Sequence, residues 1–411
     1  MTRRPLLPVR FSALLGPDLT GARQSLLALT LGLVASLIAG LTLGSISDTL
    51  EELPGLLVLV PAAIGMRGTI FGALGSRLGT AVHAGTLRFS WRTDTVLGQN
   101  VLAAGVLTLS TSVGLAFLAK AVSVGFGLAN TISVVDFLVI SLVGGILASV
   151  VVLAVTVTLV AATTRFGWDP DNVMAPLVTA IGDLVTLPLL YVATLLVGIG
   201  VVDDVIAVVG VVGGVAAVVL ALRSELTALR QIVRESLPVV LVAGTLSLVA
   251  GLTLEGRLDD FAEFPALLAL VPPFLASAGS LGGILSNHLT SKLHLGVMSP
   301  SGLPGREARA DILRVYGLSI PTFALASLVA DLAAVVVDLP SPGPVDLVLI
   351  ALIGGLLSTT AAIVVAYSSA VASFRVGLDP DNVAMPMVTS AIDLVGSLSF
   401  VIAVALVGVS G

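Results

Sequence analysis

The residues that could do chemistry come in two matched sets. DPDNVMAPLVTAIGDL runs from Asp169 to Leu184, and DPDNVAMPMVTSAIDL from Asp379 to Leu394, with ten of sixteen positions identical at a constant offset of 210. Each set starts at the edge of a long apolar segment and carries an aspartate deep into it. In the first, Asn172, Pro176, Thr179 and Asp183 fall at i, i+4, i+7 and i+11, one face of a helix at about 100° per residue. Asn382, Pro386, Thr389 and Asp393 repeat the pattern. Proline has no N–H, so the carbonyls of Asn172 and Asn382 lose their helical partners. Each stripe then offers a carboxylate, a hydroxyl, an amide and a freed carbonyl. An all-oxygen set of this kind suits a hard cation such as Mg²⁺ or Ca²⁺. A buried hydrogen-bonding aspartate beside a proline kink would explain one copy; two matched copies favour a shared function.

A helix must carry each stripe. Asp169 and Asp379 fit as N-caps, with Pro170 and Pro380 as first helical residues. Asp183 lies 13 residues past Pro170, roughly 20 Å along the axis at about 1.5 Å per residue. In a hydrocarbon core of about 30 Å that is well inside. A charge there costs roughly 2.5–3.5 kcal/mol, so its presence calls for a reason.

The surrounding chain is of the class that offers such a setting. Of 411 residues, 56% are hydrophobic and 11% charged, with a mean hydropathy of +1.12. This is an all-α polytopic membrane protein; the apolar segments are too long for a β-barrel. The absence of cysteine excludes disulfides, thiolate metal sites and cysteine nucleophiles. Three scattered histidines argue against zinc. Nothing points to nucleic acid; lipids and cations are the expected partners. MTRRPLLPVR starts basic with no cleavage signal before the first span, so no removed peptide is expected.

Eleven transmembrane helices are expected, at about 24–45, 54–76, 95–119, 136–164, a fifth ending near 198, 204–223, 235–254, 262–285, 310–337, 345–374 and 381–409. The second, with Pro61, Gly65, Gly68, Gly72 and Gly75, should be kinked or broken and closely packed. The repeat extends beyond the motif. LVGGILAS at 142–149 matches LIGGLLST at 352–359 at offset 210. Pro61, Gly68, Gly72, Leu74, Leu78, His83 and Gly85 match Pro272, Gly279, Gly283, Leu285, Leu289, His294 and Gly296 at offset 211, one residue of slippage that a loop can absorb. The chain divides into a basic cytoplasmic arm (1–23), a first five-helix repeat (24–198), a linker with the sixth helix (199–234) and a second five-helix repeat (235–411). Five spans plus one make the repeats parallel, with a pseudo-twofold axis along the membrane normal. With the N-terminus cytoplasmic and the C-terminus outside, 16 of 19 Lys and Arg face the cytoplasm; Lys120 and Arg257 lie outside and Arg67 within a span. Parallel repeats bring Asp183 and Asp393 face to face across a central pathway, with Asp171 and Asp381 at its cytoplasmic mouth near Pro176 and Pro386. One chain then suffices as a pseudo-dimer.

The DPDN-xxx-P-xx-T-xxx-D pattern resembles the pore helix of MgtE-type magnesium channels. PAAIGMRGTIFGALGSRLGTAVHAG in the second span resembles the signature of solute carrier family 41, their internally duplicated relatives, and DNVMAPLVTAIGDLVTL its first-repeat motif. The resemblance spans both repeats. It implies Mg²⁺ transport across the cell membrane, with Asp183 and Asp393 as pore carboxylates. The N-domain and CBS pair that gate bacterial MgtE are absent from this sequence, so magnesium sensing does not carry over. Thr69 and Ser280 stand near a position where the family is expected to hold an amide.

A transporter or channel is therefore expected, not an enzyme, with the ion held largely hydrated because Mg²⁺ sheds water reluctantly. Asn172, Asn382, Thr179 and Thr389 would bond its waters. Protons would compete at low pH. The alternative to a passive pathway is an exchanger with Na⁺ or H⁺ as the coupling ion. An intramembrane aspartyl protease would use the same aspartates as a dyad, but neither sits in a Gly-x-Gly-Asp context. An organic-cation transporter would want more than 4% aromatic residues. Four further residues stand out. Arg67 is expected to pair with a pathway carboxylate, to reach the cytoplasmic interface or to pack between helices. Asp331 is expected at the solvated outer interface, and His83 and His294 in loop packing.

Overall fold

The computed structural model describes residues 19–128, 130–166, 170–294, 296–375 and 380–409; the side chains of 19–31, 83, 170–176, 260, 287, 291, 294 and 380–388 lie outside that description. Among the described residues the chain is helical throughout, without strands. Ten helices are long and apolar enough to cross a membrane, and α1 adds the apolar stretch Gly32–Ser45.

The order is α1 (Leu19–Ser45), α2 (Ser47–Glu52), α3 (Leu56–His83), α4 (Val96–Gly125), α5 (Val134–Val139), a π-helical turn (Ile140–Gly144), α6 (Gly145–Phe166), α7 (Pro170–Thr194), α8 (Val201–Arg223), α9 (Thr227–Glu255), α10 (Leu258–Glu263), α11 (Pro265–His294), α12 (Arg306–Val336), α13 (Pro344–Arg375) and α14 (Pro380–Val407). Local signals set several starts. Thr95 caps α4 by accepting from Gly98 N at 3.1 Å. Ser133 and Asp136 close a reciprocal capping box on α5.

The internal repeat is visible helix by helix. Short α2 and α10 begin and end 211 residues apart and touch each other. The first helix of each repeat crosses the second helix of the other, α1 on α11 and α9 on α3. Glycines permit these crossings. A Cβ on Gly40 would lie 2.0 Å from the Ala269 carbonyl oxygen, and one on Gly251 would lie 2.4 Å from that of Val58. Gly40 and Gly251 are repeat mates, as are Val58 and Ala269. The two crossings are the same contact made twice, as an approximate twofold requires. The one-residue slippage sits in a loop: 126–133 in the first repeat against 337–343 in the second.

The linker helix α8 leans on the first repeat through Gly210 against Leu142 and Gly214 against Val113. Its other face exposes Val205, Val208, Val209 and Val212, an apolar surface for lipid.

Two spans gain detail that the sequence left open. The second span is one unbroken helix to His83 with Pro61 inside it. Pro61 lies early in α3, where it frees only the Leu57 carbonyl. The fourth span does contain a break in regular geometry, the π-turn at Ile140–Gly144, which its sequence does not announce.

Candidate functional site

Helices α7 and α14 carry the two aspartates toward each other. Asp183 and Asp393 are half-buried and close enough for their charges to interact. Each has a serine partner from the first helix of a repeat. Ser247 Oγ of α9 donates to Asp393 Oδ2 at 2.5 Å, and Ser36 of α1 lies beside Asp183 while its own Oγ donates to the Gly32 carbonyl at 2.8 Å. Both serines are buried, at 1% and 3% exposure. Ser36 and Ser247 are 211 residues apart, so they too are repeat mates.

Helix α3 closes one side. A Cβ at Gly65 would lie 3.3 Å from Asp393 Oδ2 and 3.7 Å from Ser247 Oγ. Gly68 lies against Thr179, and Gly182 against Cβ of Arg67. The glycine face of α3 therefore lets backbone approach both acidic helices, and α3 of the first repeat reaches the aspartate of the second. Thr179 and Thr389 are exposed. The helical backbones of α7 and α14 include Asp171, Asn172, Pro176, Asp381, Asn382 and Pro386, whose side chains lie outside the described residues. Among the described residues no three His, Cys, Asp or Glu side chains gather in a metal-binding group. What assembles is a two-carboxylate pair with hydroxyl neighbours, an arrangement suited to an ion that keeps its water.

The serines and Gly65 are the parts the motif reading missed. SLIAGL at 36–41 and SLVAGL at 247–252 align at offset 211, so the signal was present in the repeat. Arg67 takes the packed position between helices, away from the interface. It is 1% exposed and pairs with no carboxylate among the described residues. Its Nη1 donates to the Ala63 carbonyl, while Nε and Nη2 have no partner. Asp331 and its mate Lys120 each fasten a nearby loop. Asp331 accepts from Ser341 at 2.7 Å, and Lys120 donates to Thr131 and Ile132. The side chains of His83 and His294 lie outside the described residues.

Comparison with known proteins fixes the setting of this pair. The MgtE family, divalent cation transporters, matches residues 60–193 and 271–403, one match in each repeat. The chain belongs to the MgtE family. It is similar to solute carrier family 41 member 2 of Xenopus laevis, 26% identical over 92% of this chain and 70% of that one. It is also similar to member 3 of the same solute carrier family from Rattus norvegicus, 23% identical over 88% and 83%. The human member 2 is 26% identical over 71% of this chain and 51% of its own length. No solved structure matches. The MgtE family and its solute carrier 41 relatives are transporters, which removes the protease reading of the two aspartates. As an MgtE-family member the chain is a multi-pass membrane protein for divalent cations, and Asp183 and Asp393 both lie within the matched segments.

Proposed function

We propose that the chain carries divalent cations, Mg²⁺ before others, along one pathway between its two repeats. In this reading Asp183 and Asp393 supply the charge, and Asn172, Asn382, Thr179 and Thr389 bond the water shell of the ion. Asp171 and Asp381 gather cations at the mouth beside Pro176 and Pro386. The single observation that carries the reading is the meeting of two repeat-mate carboxylates, each against a repeat-mate serine. A dication offsets two like charges that would otherwise repel across low-dielectric surroundings. Ser36 and Ser247 hold the carboxylates in place, as outer-shell partners of a bound ion do. The N-terminus faces the cytoplasm and the C-terminus the outside of a cell membrane, as the charge bias of the loops favours. One chain suffices because the second half stands in for a partner subunit.

Flux of Mg²⁺ into liposomes tests this. If the carboxylates form one site, Asp183→Asn and Asp393→Asn each remove most of the flux, and the double variant adds little, the non-additivity of residues acting as a unit. Each change also relieves the cost of a membrane-buried charge, so the variants should fold. Two separate routes would leave about half the flux in each single variant, and that result would end the shared-pathway reading.

A further inference from the structure

Arg67 has a repeat mate, Ala278, that carries no charge. The surroundings of the two positions differ in step. One turn before Ala278 on α11, the Phe274 ring packs at an angle against Phe323 and Phe400, with centroids 5.1 and 5.2 Å apart. Gly355 lies so close that a Cβ there would sit 2.3 Å from the Phe323 ring. In the first repeat the mates of Phe274, Phe323 and Phe400 are Ala63, Ser112 and Leu190. The guanidinium of Arg67 occupies that space instead. A Cβ on Gly145, the mate of Gly355, would lie 2.6 Å from Arg67 Nη2 and 2.5 Å from Ser112 Oγ. Ser112 Oγ is itself buried without a partner. The π-turn Ile140–Gly144, which α13 lacks, ends immediately before this Gly145, and such turns recur at functional sites.

A cation with two unused donors in an apolar fold is costly unless a second position repays it. The root of Arg67 is next to the carboxylate pair: its Cβ lies 3.6 Å from the Cβ position of Gly182, the neighbour of Asp183. Two residues back along α3, Gly65 faces Asp393. The long flexible stem of arginine can pivot between such positions.

We propose that Arg67 is a tethered counter-cation that competes with the transported ion. With the site empty, its guanidinium leaves the Ser112–Gly145 pocket and pairs with Asp183 and Asp393. An arriving Mg²⁺ displaces it into that pocket, the position described above. The carboxylate pair carries two negative charges; arginine offsets one, and Mg²⁺ both. A tethered competitor weakens apparent binding by the fraction of time it occupies the site, and it takes over the carboxylates as the ion leaves, which speeds release. This rests on the proposed cation role of the aspartates.

The test uses the full chain, measuring Mg²⁺ binding by calorimetry in detergent and Mg²⁺ flux in liposomes. Arg67→Gln keeps a polar, unbranched side chain but loses the charge. It should tighten Mg²⁺ binding by about tenfold and lower maximal flux. Arg67→Lys should restore both toward the unaltered protein. Gly145→Ala fills the parking pocket at the ends of two side chains able to move. It should shift binding the other way, weakening it by driving the guanidinium onto the carboxylates. In an Asp183→Asn, Asp393→Asn background the effect of Arg67→Gln should vanish. Unchanged Mg²⁺ affinity in Arg67→Gln, a shift of the same sign in Gly145→Ala, or an effect that survives removal of both aspartates would overturn the proposal. No Mg²⁺ binding by the unaltered protein would overturn the cation reading itself, a distinct result.

Discussion

The two repeats agree in some places and part in others, and the division is informative. They agree at the helix crossings, where Gly40 and Gly251 seat on Ala269 and Val58. They agree at the acidic pair, where Ser36 serves Asp183 and Ser247 serves Asp393. These features lie between the repeats, so one change would be felt by both halves. They part where α3 and α11 each pack against helices of their own repeat. There the second repeat holds a cluster of phenyl rings and the first holds Arg67, Ser112 and a π-turn. Buried aromatic rings bring packing energy; a buried unpaired guanidinium does not. The second flank is built to hold still, and the first is built for something besides stability.

The comparison can be broken most sharply at Phe323. Its ring is 1% exposed, so Phe323→Ala should cost about 3–5 kcal/mol and lower the melting temperature in detergent markedly. Ser112→Ala, at the mate position, removes a hydroxyl with no partner and should change the melting temperature little. Equal losses would mean that the two flanks do the same structural job. The crossings should behave in the opposite way, as equals. Gly40→Ala and Gly251→Ala each force a methyl into a backbone carbonyl, costing about 1–3 kcal/mol or more. Thermal unfolding of the two variants should show matched losses; damage from one alone would contradict the reciprocal contact. The finest test is at the serines. Ser36→Ala and Ser247→Ala should each weaken Mg²⁺ binding by about tenfold, the low end for outer-shell partners. Calorimetric titration that finds only one of them affected would show the carboxylates to be unequal.

Much of this was readable before any coordinates. The duplicated DPDN motif, the offset of 210 and the offset of 211 follow from identities, and an all-α membrane fold follows from composition. Ser36 and Ser247 were within reach of the same comparison, but a serine in an apolar helix carries no signal until the residue it touches is known. Glu255 shows a harder limit. It is buried and accepts from Gly55 N at 2.6 Å and Leu57 N at 3.1 Å, capping the start of α3. Its repeat mate is Gly44, so the duplication says nothing about it, and its partners are some 200 residues away. Arg67 was conspicuous as a charge, yet the direction of its side chain depends on the cavity that Ser112 and Gly145 leave. That is a tertiary fact. Helix α3 runs to His83, past the expected end of the second span at about 76, because SRLGTAVH holds no proline and its one glycine, Gly79, costs only about 1 kcal/mol.

The exchanged first helices bear on how the protein is made. Gly40 of α1 seats against Ala269 of α11, 229 residues later in the chain. At about 5–20 residues per second of synthesis, that is a delay of roughly 10–45 s. Through that interval α1 stands in the bilayer with Ser36 beside no settled neighbour from the second half, and α3 likewise waits for α9. A nascent chain stopped after α9 has its α3 partner but leaves the seat of Gly40 unfilled. Neither half is a self-sufficient folding unit. The last stage of assembly is a mutual docking of both halves, and the Asp183–Asp393 pair comes together only then.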